Sequence, residues 1–159
     1  MADLPDPLRH HGDVEVGGLL DLAVNVYAGP RPVWLDAALR ASLDSIGAYP
    51  SSAAARATVA AHHGRSEDEV LVTAGAAEAF TLVARLRPWR RPVVVHPQFT
   101  EPHAALEQAG HRVSEVVLPL PFLLDPTRVP DDADLVVVGN PTNPTGALHP
   151  AATIRRLLR

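Results

Sequence analysis

The sequence predicts an α/β fold, with a mostly parallel sheet covered by helices on both faces. Three observations lead there. The Val/Leu runs "EVLVT", "PVVVH" and "DLVVVG" lack the polar alternation of a half-solvated strand, so they suit strands buried on both faces. Helix-like stretches separate them, which is the order of parallel α/β layers. And 159 residues can in principle bury roughly 70% of the surface that the unfolded chain exposes.

The elements follow in order. Residues 1–30, rich in Gly and Pro, keep no sustained period and read as an arm, with "LLDLAVNV" as one short extended segment. From Pro32, Leu35, Leu39, Leu43 and Ile46 recur at helical spacing, and Gly47 can close that helix. After "AYP", Ser51 or Ser52 can cap a second helix, "AAARATVAAHH", ended by Gly64. "SEDE" has capping-box spacing and leads into "EVLVT" as a first strand. Then come a helix over 76–86, strand "PVVVH", a helix over 101–109, strand "RVSEVVL", a proline-rich crossing, strand "DLVVVG" and the start of a helix in "HPAATIRRLLR". Four such strands make about half of a large α/β domain, so the chain reads as a fragment.

Composition excludes several classes. A net charge of −4 with scattered arginines offers no basic stripe, so nucleic acid is set aside as a partner. No cysteine is present, which removes disulfides, thiol catalysis and cysteine zinc sites. No apolar run approaches a membrane span and "MADLPDPLRHHGD" has no signal core, so a soluble cytoplasmic protein is expected. All 14 basic residues are arginine. Without lysine, no lysine chemistry is open to this chain.

In open parallel sheets, ligands collect beyond the carboxyl ends of the strands. Three loops leave in that direction. "TAGAAEAF" turns into a helix with small residues in its first turn, where free N–H groups and the helix dipole suit a phosphate; an ordinary βα turn looks the same. "HPQFTEP" places Phe99 where its face could lie against a flat ring, although taken alone it reads first as a core or edge residue. His96 and His103 lack the spacing of a metal site and read as surface or hydrogen-bonded histidines. "GNPTNPTG" cannot extend a strand or open a helix, because Pro141 and Pro144 lack an N–H; it must be a shaped loop that holds Asn140 and Asn143.

"GNPTNPTG" resembles the Asn-Pro-x-Asn-Pro-Thr-Gly signature of fold-type I pyridoxal-phosphate enzymes of aminotransferase class I/II, and the other two loops fall in that family's order and spacing. The resemblance implies a partial three-layer α/β/α large domain with its C-terminal half absent, residues 31–159 forming the first half of the cofactor-binding domain. It implies pyridoxal 5'-phosphate, with the backbone N–H groups of Ala76, Ala77 and Glu78 on its phosphate, Phe99 stacked on its ring and Asn143 bonded to its phenolic oxygen. Tyr49, in "GAYPS", is similar to the tyrosine that reaches the neighbouring subunit's cofactor, which implies a homodimer. "RHHGDVEVGGLLDLAVNVYAGP" resembles the start of threonine-phosphate decarboxylases of cobalamin biosynthesis, with His11 and Asn25 as contacts to the substrate's phosphate and carboxylate. It departs from them at Asp13 and at Tyr27-Ala28, and histidinol-phosphate aminotransferase is the nearest rival.

The resemblance thus implies a small phosphorylated amino acid or amine as substrate. The lysine that attaches the cofactor is absent here, so the isolated chain is expected to be inactive. A complementing C-terminal half, a non-catalytic binding module and a structural subunit are the alternatives this leaves.

Overall fold

The computed structural model describes residue 8, residues 17–20, residue 27 and residues 29–158. The chain forms two compact units, one of residues 1–10 and 73–159 and the other of residues 11–72. The segment "LLDLAVNV" lies mostly outside the described residues, as do His11 and Asn25.

In the unit that begins at Thr73, the order is α3 (Gly75–Arg85), β1 (Pro92–His96), α4 (Glu101–Gln108), β2 (Ser114–Val117), β3 (Leu135–Val137) and α5 (Ala151–Arg155). The strands form one parallel sheet in the order β2-β1-β3, with Val95 beside Val116 and Val93 beside Val136. β1 is central, and its first four residues are buried. Successive side chains of a strand point to opposite faces. Accordingly Val94 packs with Ala84 and Leu106 on the α3 and α4 side, whereas Val93 and Val95 pack with Val116, Leu118, Leu124 and Val129, flanked by Ile154 of α5. The sheet is therefore covered on both faces, in three layers. Full burial of Leu106, 2% exposed, stabilises this unit by about 1.5–3 kcal/mol.

Asp134 fastens the entry of β1 to that of β3. Its carboxylate accepts the backbone N–H groups of Arg90 and Arg91 at 2.8 and 2.9 Å, and Arg87 lies 3.8 Å away while stacking on Trp89. Burial alone would raise its pKa, but those hydrogen bonds and the Arg87 charge outweigh it and hold the carboxyl below its ordinary value.

The other unit contains α1 (Val33–Ser42), continued by a 3₁₀ turn over Leu43–Ser45, and α2 (Ala53–His63). Gly64 ends α2 in the left-handed region at φ 61°. The "SEDE" capping box forms as the spacing predicts, with the Ser66 N–H donating to Glu69 at 2.9 Å and Ser66 Oγ accepting from the Asp68 N–H at 3.4 Å. Arg56 ties this turn to α2 by donating to the Glu67 carbonyl.

One expected strand is corrected. "EVLVT" contains no strand; Val70 is extended, but Leu71 and Val72 are exposed and no described strand pairs with them. A strand exists through its ladder, and β propensity without a neighbour's N–H and C=O groups does not make one. The helix expected to run from Pro32 to Gly47 also changes character early, tightening to 3₁₀ after Ser42. Among the described residues, no helix is long and apolar enough to cross a membrane.

Candidate functional site

The unit built on Thr73–Leu158 contains five of the residues proposed for the cofactor. The first is a turn. Gly75 opens α3 at φ 73°, a conformation that only glycine enters cheaply, and the turn is closed by Gly75 N–H donating to the Thr73 carbonyl at 2.8 Å. Ala76 and Ala77 follow in the first turn of α3, where N–H groups find no intrahelical acceptor. The Glu78 carboxylate folds back to accept the Ala74 N–H. That side chain is therefore engaged with the turn itself, and only its backbone remains for an anion.

The β1 exit stands beside this turn. Phe99 keeps 40% of its surface exposed, and its ring lies 6.5 Å from that of Phe80, one turn along α3 from Ala76, at an interplanar angle of 51°. Gln98, next to it, is buried and donates to the Val137 carbonyl at 3.2 Å. It binds the β1 exit to the β3 exit, so the second and third loops are held as one surface. His96 and His103 bond each other at 3.0 Å, with His103 3.6 Å from Glu107. Burial pushes the His96 imidazole below its ordinary pKa, His103 adds to that, and Glu115 opposes it.

The β3 exit separates the two asparagines. Asn140 serves the loop itself: its Oδ1 accepts the His149 N–H at 2.7 Å and its amide donates to the His149 carbonyl at 3.3 Å. Thr142 is buried and donates to the Gly139 carbonyl at 2.8 Å. The Thr142 N–H donates to Ala147 and the Gly146 N–H to Thr142, at 2.9 and 2.7 Å. Both Asn-Pro bonds are cis. Asn143 is exposed, and its side chain has no hydrogen-bond partner among the described residues.

Tyr49 belongs to the other unit and is 99% exposed. The motif reading missed Gln98, Thr142 and His149. A polar residue two positions past a buried strand was the signal for Gln98, and a histidine just before a helix-opening Pro-Ala was that for His149. Among the described residues, no group of three metal-ligating side chains comes together.

The unit presents a helix-opening turn with free N–H groups beside an exposed aromatic ring, and an unpartnered amide on the loop that leaves β3, at the end of the strands where parallel sheets collect ligands. Residues 18–159 match the aminotransferase class I and II family, and the chain belongs to that family, whose cofactor is pyridoxal phosphate. A histidinol-phosphate aminotransferase of Mycobacterium tuberculosis is 53% identical over 145 residues, which cover 89% of this chain and 40% of that protein. An aminotransferase structure from Burkholderia pseudomallei is 30% identical with a TM-score of 0.75, over 86% of this chain and 44% of that one. The aspartate aminotransferase of Thermus thermophilus with maleate is 26% identical with a TM-score of 0.76, over 91% and 43%. The chain thus spans under half the length of the relatives it matches.

Proposed function

We propose that these residues are the cofactor-facing part of a pyridoxal-phosphate aminotransferase acting on a phosphorylated amine, with histidinol phosphate as the favoured substrate. The observation that carries the cofactor reading is that Phe99 stands against α3 while Gln98 ties the exit of β1 to that of β3, whose loop carries the exposed, unpartnered Asn143. The N–H groups of Ala76 and Ala77, with that of Glu78, would receive the phosphate, Phe99 would lie against the ring, and the Asn143 amide would donate to its phenolic oxygen. Tyr49 would reach the cofactor of a second copy in a homodimer. Bound, the cofactor supplies an electron-accepting ring to a substrate amine. This chain's residues hold and orient it and shield one face of the ring.

The substrate reading rests on the 53% identical relative. It turns the balance away from the threonine-phosphate decarboxylase that the N-terminal residues resemble; His11 and Asn25, which carried that reading, lie outside the described residues. No lysine is present, so covalent attachment falls to a longer polypeptide or a complementing chain.

The cofactor reading is tested by equilibrium dialysis of the chain with pyridoxamine 5'-phosphate, which cannot condense with the α-amino group. Asn143→Ala and Phe99→Ala should each weaken retention; equal binding by all three proteins removes the assignment. The substrate reading is tested on the product isolated from the host. Amino transfer from histidinol phosphate to a 2-oxo acid supports it, whereas carbon dioxide release from threonine phosphate selects the decarboxylase.

A further inference from the structure

His149 lies three residues past the "GNPTNPTG" loop and is 3% exposed. Its Nδ1 accepts the Leu124 N–H at 3.3 Å, which fixes the neutral tautomer with the proton on Nε2. Nε2 is 3.4 Å from Thr142 Oγ1 and can only donate to it. That hydroxyl in turn donates to the Gly139 carbonyl at 2.8 Å. The directions of all three bonds agree along the chain from Leu124 to His149, Thr142 and Gly139.

The backbone of the same residue is clamped from the other side, because Asn140 bonds both its N–H and its carbonyl. Leu124 belongs to the core on that face of the sheet. His149 thereby connects a rigid core position to Thr142, the residue that stands between the two Asn-Pro pairs and immediately precedes Asn143.

We infer that His149 is a positioning residue: its neutral imidazole, through Thr142, fixes the loop that aims the Asn143 amide. Its consequence for the cofactor rests on the reading of Asn143 given above; its hold on the loop does not. A buried donor and acceptor on one rigid ring can order a loop because leaving either unpaired costs more than the bond gains. The prolines limit the loop's conformations, and the imidazole selects among those that remain.

The test is amide hydrogen exchange on the whole chain, beside dialysis with pyridoxamine 5'-phosphate. His149→Phe keeps a flat ring but neither bond. It should speed exchange at Thr142 and Gly146 by about tenfold, the equivalent of one hydrogen bond's net contribution, while amides of β1 stay protected. It should also weaken cofactor retention about as much as Asn143→Ala does. His149→Gln, which can still donate to Thr142, should recover most of both losses. Should His149→Phe fail to fold, Thr142→Val removes the hydroxyl without touching the ring and should loosen the same amides.

Unchanged exchange at Thr142 and Gly146 in folded His149→Phe, or in Thr142→Val where that variant is needed, overturns the proposal. Faster exchange with weaker binding in Asn143→Ala but not in His149→Phe overturns it too. Faster exchange with no loss of binding in either variant upholds the hold on the loop and rejects Asn143 as a cofactor contact.

Discussion

Residues 73–158 and residues 29–72 both carry apolar stretches but use them differently. In the first region the pattern closes on itself: β1 has a strand on each side and a packed layer on each face, so Val93, Val94, Val95 and Leu106 reach 3% exposure or less. In the second, Ala60 is the one buried hydrophobic residue described, and Val33, Trp34, Leu43 and Ile46 stay 61–86% exposed. The Leu35–Ile46 stripe shows which face of α1 is apolar. It does not supply what covers that face, because burial needs a second surface and periodicity describes only the first.

The largest test of this contrast pairs two leucines. Leu106→Ala should cost about 3 kcal/mol by leaving a cavity between α4 and the sheet, while Leu43→Ala should stay within about 0.5 kcal/mol, both read from urea unfolding. Equal losses would break the contrast. The next concerns the polar staple of the first region. Asp134→Ala leaves the Arg90 and Arg91 N–H groups without their acceptor and should cost about 1–2 kcal/mol.

Its pH signature has a definite sign. The folded pKa lies below 3.8, so the contribution is present above that pH and is lost as the pH falls through the folded value. The wild type should lose more stability than Asp134→Ala on acidification below 3.8; parallel acid profiles would remove the carboxylate from the staple.

Smaller effects are expected in the second region, where local backbone terms stand in for a core. Gly64→Ala meets no atom within 4 Å, yet should destabilise α2 by about 1 kcal/mol because φ is positive there. Ser66→Ala should cost about 0.5–1 kcal/mol through loss of the capping box, seen as faster amide exchange at Asp68. If it costs as much as Leu106→Ala, the turn carries packing that its exposed residues do not show.

Much of the fold was legible because its signals are local. Gly64 closes α2, Ser66 caps its turn and "PVVVH" is a strand, each where the residues placed it. "EVLVT" was misread because β-branched residues state a preference, and a ladder needs a neighbour that the run cannot reveal. At the site, the loop order and the Asn-Pro pairs were readable as chemistry. The division of labour between Asn140 and Asn143 was not: both are asparagines before proline, and only the return of the chain at His149 shows that one amide is spent and the other open.

By itself the sequence determined most of the alternation of strands and helices, the loops that follow "PVVVH" and "DLVVVG" and the absence of lysine, since these depend on residue type and spacing along one chain. Tertiary structure alone decided the rest. It chose the partners of β1, joined the second and third loops through Gln98 and turned His149 inward against Thr142. Gln98 and Val137 are 39 positions apart, and His149 and Leu124 are 25 apart. Contacts at such separation are set by how layers pack, which no local pattern encodes.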